Sequence, residues 1–171
     1  MTFTFLRGAA LAAALLGTTS AFAQSATMQS NALLLKPLTL TNLDDLDFGS
    51  IIPSGLAGGD KVTIDAVTGA RSSPTATLIS SSPGKRARFA SSGVNNTFIF
   101  LELSQPPHAP LTNALGDELI LDYLVLDGSA LRTLTPASQV FFVGIGGRIA
   151  VRPDQEDGAY TGTFNLTATY L

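Results

Sequence analysis

Apolar and polar residues alternate with a period of two towards both ends of this chain, and no long stretch repeats its apolar residues every 3.6 positions. Short β-like runs with turn residues between them predict strands over residues 38–41, 61–65, 76–79, 87–90, 97–103, 118–126, 139–151 and 160–171. Gly58-Gly59, Pro83-Gly84, Asn95-Asn96, Pro106-Pro107, Asp127-Gly128 and the run 153–158 punctuate them with turn-forming residues. The stretch 140–151 carries Gly146-Gly147 in its middle, which predicts a bend or bulge there. A phosphate-cradling glycine loop is excluded, because such a loop must lead into a helix and none follows.

Short strands of this number in about 130 residues, with hardly a helix, predict an all-β fold, an antiparallel β-sandwich of immunoglobulin-like size. The strictest alternation is the last. Tyr160, Gly162, Phe164, Leu166, Ala168 and Tyr170 share one face, with Gly158 completing the series, and Thr161, Thr163, Asn165, Thr167 and Thr169 share the other. A strand with a complete apolar face at the end of the sequence is expected to have an edge that another chain covers, because unpaired N–H and C=O groups beside an apolar face invite a further strand. The opposite end alternates too, through Ala26, Met28, Ser30, Ala32, Leu34, Leu38 and Leu40. Pro37 cannot donate a ladder hydrogen bond and is expected to divide this stretch in two; one long first strand with a frayed end is the competing reading.

Composition narrows the class. With 45% hydrophobic and 13% charged residues, one domain with a sizeable core is expected. Residues 1–23 read as a signal peptide: Arg7, then an apolar Ala/Leu run, then Ala21-Phe22-Ala23 before Gln24. Thr18, Thr19 and Ser20 break the run well short of the about 18 residues a membrane span requires. The expected product, 24–171, is exported and has no membrane span. Without Arg7 it has nine basic and thirteen acidic residues, a net charge of −4, which does not favour nucleic acid. The absence of cysteine excludes a disulfide framework, so stability must come from the core, a ligand or other subunits.

No catalytic constellation emerges. His108, the only histidine, sits in a proline-rich loop and makes neither a zinc site nor a triad by itself. Asp44, Asp45 and Asp47 lack the spacing of a calcium loop and read as turn chemistry, as does the run from Gln155 to Gly158. Lys85, Arg86 and Arg88 form a basic cluster too short for a nucleic-acid footprint and read as a solvated face, with Arg86 and Arg88 on one side of a strand. No cofactor and no metal site are expected.

The two ends carry a resemblance. A glycine fourteenth from the end, Gly158, a tyrosine next to last, Tyr170, and alternating apolar residues between them are similar to the terminal pattern of pilus subunits assembled by the chaperone–usher route. The stretch 36–52, KPLTLTNLDDLDFGSII, and the closing 158–170, GAYTGTFNLTATY, resemble the opening and close of the cysteine-free exported family known as domain of unknown function 4402. The resemblance implies an incomplete immunoglobulin-like sandwich over 36–171 that is completed by donor-strand exchange. In that scheme Gly158, Tyr160, Gly162, Phe164, Leu166, Ala168 and Tyr170 form the chaperone- and subunit-pairing strand. Residues 24–35 form the donor extension, with Ala26, Met28, Ala32 and Leu34 as its inserted side chains. The implied partners are copies of the chain in a homopolymer, a periplasmic chaperone and an outer-membrane usher, and the implied location is the periplasm in transit and then the cell surface. The best-known pilins carry an early disulfide that this chain lacks. The expected function is a non-enzymatic structural subunit of a fimbria. A monomeric secreted β-sandwich that binds carbohydrate or another surface ligand is the rival from a different class, although three tyrosines and no tryptophan offer it few aromatic platforms.

Overall fold

In the computed structural model the described residues are 29, 32–104, 110–135 and 140–171. They form β1 (Thr39–Asp44), β2 (Ile51–Ile52), β3 (Asp60–Ile64), β4 (Arg71–Ser72), β5 (Thr77–Leu78), β6 (Ala87–Ser92), β7 (Phe98–Ser104), β8 (Pro110–Thr112), β9 (Glu118–Leu126), β10 (Leu131–Thr133), β11 (Val140–Val151) and β12 (Asn165–Tyr170), and among the described residues there is no helix. Each of the eight predicted strands has a counterpart. The short β2, β4, β8 and β10 are additional, because two or three residues are too few to display a period.

All pairings are antiparallel, so the fold is all-β with antiparallel sheets. The largest sheet is organised by β11. Ile145 pairs with Ala87 of β6 and with Leu126 of β9, and Ile149 pairs with Val62 of β3 and with Leu121 of β9. One side of β11 is therefore passed from β6 to β3 near its middle, while β9 occupies the other. β1 extends this sheet beyond β6, β4 beyond β3 and β8 beyond β9. A second sheet has the order β10-β7-β12, and β2 pairs with β5.

The glycines of β11 act by permitting close approach. A Cβ at Gly146 would lie 2.2 Å from the Ile64 carbonyl oxygen, one at Gly144 2.5 Å from that of Ala66, and one at Gly147 2.6 Å from that of Tyr123. Backbone atoms cannot step aside as a flexible side chain does, so glycine is required where the strand changes partners. The register irregularity falls between Arg148 and Ile149, two residues beyond the expected Gly146 and opposite β9. There Asp122 is the extra residue. Leu119 and Leu121 are buried before it and Leu124 and Leu126 half-buried after it, so the bulge shifts the inward phase by one.

Two apolar clusters result. One joins Ile99 and Leu101 of β7 to Ala87, Val143 and Ile145 of β6 and β11, with Leu134, so the two sheets face each other. Phe164, Leu166, Ala168 and Tyr170 pack against it. The other joins Val62, Ile64, Leu119, Leu121, Ile149 and Val151, all on the large sheet, with Phe48. Its cover is different: partly buried Leu46, Ile51, Leu78, Leu111 and Tyr160, from connecting segments and the short strands β2, β5 and β8. Each buried Ile, Leu or Val contributes about 1.5–3 kcal/mol. The second cluster thus holds a large share of the core under the thinner cover.

Candidate functional site

β12 pairs with β7 from Asn165↔Ser104 to Tyr170↔Ile99, and among the described residues no strand pairs with its other edge. The Leu171 amide donates to the Phe98 carbonyl at 3.0 Å, so odd-numbered residues of the strand direct their N–H and C=O groups at β7. Leu166, Ala168 and Tyr170 therefore direct theirs at the open edge. The same residues have half-buried side chains on the core, while Asn165, Thr167 and Thr169 are exposed. β1 likewise has one described partner, β6. At its start the Tyr170 hydroxyl donates to the Lys36 carbonyl at 3.0 Å and accepts the Val94 amide at 2.8 Å, which brings the end of β12 to the beginning of β1.

Away from that junction a cleft of about 1260 Å³ opens. One lip is the end of β1 and the chain after it, from Asn42 to Pro53, and the other is 155–164, leading into β12. Leu119, Leu121, Ile149 and Val151, buried residues of the core, also line it. Core side chains thus form the floor of a surface cleft.

The first lip is held from behind. Nη1 of Arg71 donates to the carbonyls of Phe48 and Ser50 at 2.8 and 3.1 Å, and Nη2 to that of Ile79 at 2.7 Å. Gly49 and Gly84 have positive φ, and a Cβ on Gly49 would lie 2.2 Å from the Ser82 carbonyl oxygen and 2.8 Å from the Gly84 nitrogen. Asp47 and Lys85 exchange both backbone hydrogen bonds there, at 2.9 and 2.7 Å. Beyond the lip, buried Asp60 accepts the Thr75 hydroxyl and, at 2.7 Å each, the amide and hydroxyl of Ser54. The Thr75 hydroxyl foremost, then Ser54, holds the Asp60 carboxyl below its ordinary range against the opposing effect of burial. The Thr68 amide and hydroxyl, with the Val67 amide and the nearby Arg86 charge, likewise lower Asp65.

The strand expected over 160–171 is shorter. Regular pairing begins at Asn165, and the preceding segment is attached at one point, where Thr161 and Thr112 of β8 exchange hydrogen bonds at 2.8 and 2.9 Å. The segment passes from the large sheet to the small one, so no single partner strand can accompany it. Tyr160 packs on the cluster beneath the cleft, its hydroxyl donating to the Glu156 carbonyl at 2.6 Å and accepting Nε2 of Gln155 at 2.7 Å. Gly162 leaves room for Leu111, whose Cδ2 would meet an added Cβ at 2.6 Å. Gly158 has φ 154°, a region nearly reserved for glycine.

Of the expected donor residues, Ala32 and Leu34 are exposed, Leu34 at 93%, while Ala26 and Met28 lie outside the described residues, as do 1–23 and His108. Arg86 departs from the expectation of a solvated face. It precedes β6, is half-buried, and its Nη1 donates to the carbonyls of Ala66 and Val67. Arg88 meets the expectation better, exposed and within 3.6 Å of Asp44.

Sequence reasoning missed the first lip and the cleft floor, because their residues are brought together only by long-range pairing. A signal for the lip was present in the apolar Leu46 and Phe48 two positions apart, which are half-buried and buried. Among the described residues no cluster of three His, Cys, Asp or Glu suits a metal ion, and no helix is long and apolar enough to cross a membrane.

A family model described as a domain of unknown function (DUF4402) matches residues 38–170. No curated protein and no solved structure matches the chain.

Proposed function

We propose that this chain, which belongs to the domain of unknown function 4402 family by the match over residues 38–170, is a structural subunit of a surface fimbria that polymerises by strand donation. The domain is read as an immunoglobulin-like sandwich short of one strand, with the open edge of β12 and the cleft ahead of it as the acceptor and residues 24–35 of another copy as the donor. The carrying observation is the edge of β12 that no strand pairs among the described residues, whose outward N–H and C=O groups belong to the residues that face the core. An edge of this kind is the substrate of β-strand addition, where the backbone ladder supplies affinity and alternate side chains fill the cleft. The floor formed by Leu119, Leu121, Ile149 and Val151 supports the same reading, since an inserted apolar residue gains about 1.5–3 kcal/mol by covering it. Before assembly the exposed edge calls for a periplasmic chaperone, and export at the surface for an outer-membrane usher.

The test is the material sheared from cells expressing the protein, run on a denaturing gel with and without boiling. Strand exchange predicts a ladder of multiples that collapses on boiling, because the chain has no cysteine to cross-link it. A single monomer band in both lanes overturns the proposal in favour of a self-contained surface-binding module.

A further inference from the structure

The outer side of the small sheet is apolar and exposed. Burial alternates along β10, β7 and β12, so Leu131, Phe98, Phe100 and the odd-numbered residues of β12 point away from the core. Register joins them into two adjacent rows. Leu131 and Thr169 flank Phe100, and Thr133 and Leu171 flank Phe98 in the same way. Phe98 is 53% exposed, Phe100 43%, Leu131 46% and Leu171 76%. A single exposed apolar side chain is ordinary, whereas four in adjoining rows form the kind of patch that marks an interaction surface. Its charge is almost nil: Glu102, beside the rows rather than in them, is the one charged residue on this side of the sheet among the described residues. The large sheet, by contrast, exposes Lys61, Arg88 and Asp122.

We propose that the outer side of the β10-β7-β12 sheet is an isologous contact between two copies of this chain, centred on Phe98 and Phe100. Charge argues for a second copy. The chain has a net charge of −3, so two copies repel and approach at least cost where neither presents charge. Two flat apolar faces are also complementary to each other, since neither holds a directional group that the contact would leave unpaired. A sugar would instead call for fixed hydrogen-bonding groups around the rings, and Thr133 and Thr169 are the polar side chains the two rows supply. Size sets the strength. Three strands about 4.8 Å apart, with rows about 7 Å apart along them, make a face of roughly 14 by 20 Å, about 300 Å² on each copy. A stable complex needs about 800 Å² per partner, so one such contact is transient and persists only where many copies stand side by side. The contact goes beyond strand donation and does not depend on it. Side chains stand perpendicular to the sheet while the open edge of β12 lies in its plane, so a strand added at the edge leaves this face free. Strand donation is head to tail, whereas an isologous contact brings a residue close to its own copy.

The absence of cysteine lets one introduced thiol report on this contact. In the full-length exported chain, Thr167→Cys treated with a short bismaleimide is expected to give a covalent dimer on a boiled, reducing gel. Its yield should rise with protein concentration and exceed that of Lys61→Cys, on the large sheet, by roughly fivefold, as the proximity of an isologous pair requires. Equal yields from the two cysteines mean random collision and overturn the proposal, as does the absence of a dimer band. Thr169 is exposed, so a charge there is expected to leave the soluble yield unchanged. Added to the Thr167→Cys chain at low salt, Thr169→Asp and Thr169→Lys are each expected to lower the dimer about threefold, and an equal mixture of the two to restore it, because opposite charges then meet. A dimer that neither change reduces, or one that mixing does not restore, overturns the proposal. Retention on a glycan array that Phe98→Ser with Phe100→Ser abolishes, in a chain that gives no dimer, assigns the face to sugar rings and overturns it too. Boiling removes any multimer held by strand donation, so a missing unboiled ladder defeats that reading alone and leaves the covalent dimer to decide this one.

Discussion

The hydroxyl of Tyr170 donates to the carbonyl of Lys36, 134 residues away in sequence, at 3.0 Å, and accepts the amide of Val94 at 2.8 Å. One side chain therefore joins the last strand, the segment ahead of the first, and the turn after β6. The spot is crowded as well as bonded: a Cβ on Gly93 would lie 2.3 Å from the same oxygen. Tyr170→Phe leaves the half-buried Val94 amide without its acceptor and is expected to cost about 1–3 kcal/mol. The check is the urea midpoint or the soluble periplasmic yield. Gly93→Ala should be clearly less damaging in the Tyr170→Phe background than in the wild type, since the atom it strikes is gone; purely additive losses would contradict this geometry.

Leu166 packs on the cluster between the two sheets, and a charge there has no partner. Leu166→Asp is expected to abolish soluble protein, by several kcal/mol. Met28→Asp lies in the proposed donor and should leave the monomer's soluble yield unchanged while removing the ladder. Wild-type fibres from Met28→Asp would remove this residue from the donor.

Asp60 supplies a pH-dependent element. Its folded-state pKa is lowered, foremost by the Thr75 hydroxyl, so its contribution is complete above the unfolded value of about 3.9 and is lost as pH falls through the folded value below it. Asp60→Asn sets an amide N–H₂ against one of these donors and is expected to cost about 1–3 kcal/mol at neutral pH. Urea midpoints of the two proteins should stay a constant distance apart above about pH 5 and converge below about pH 4. A gap that does not change with pH would assign the effect to packing.

Gly146 and Gly55 separate two demands on glycine. Gly146→Ala drives a Cβ to 2.2 Å from the Ile64 carbonyl and 2.6 Å from the Ala66 amide, and is expected to cost about 3 kcal/mol. Gly55 has φ 72° with nothing within 4 Å, so Gly55→Ala should cost only the left-handed backbone term of about 1–2 kcal/mol. Thermal melts of the two variants give the comparison.

Local pattern determined much of this protein. Alternation marked β7 and the inward face of β12, because side chains on a strand point to opposite sides whatever lies beside it. The uncharged stretch from Gln24 to Leu35, ended by Lys36, is likewise a property of sequence alone. Tertiary structure decided where the alternation stops being a strand. Residues 160–164 retain their pattern, yet Thr161 pairs with Thr112 and regular pairing with β7 starts only at Asn165. It also turned Arg86 from an expected surface charge into a donor to two carbonyls. Above all, it decided which edges are unpaired among the described residues and which core residues form the floor of the cleft. Alternation reports which way a side chain points, whereas an open edge depends on which distant strands meet, and no local window contains both partners.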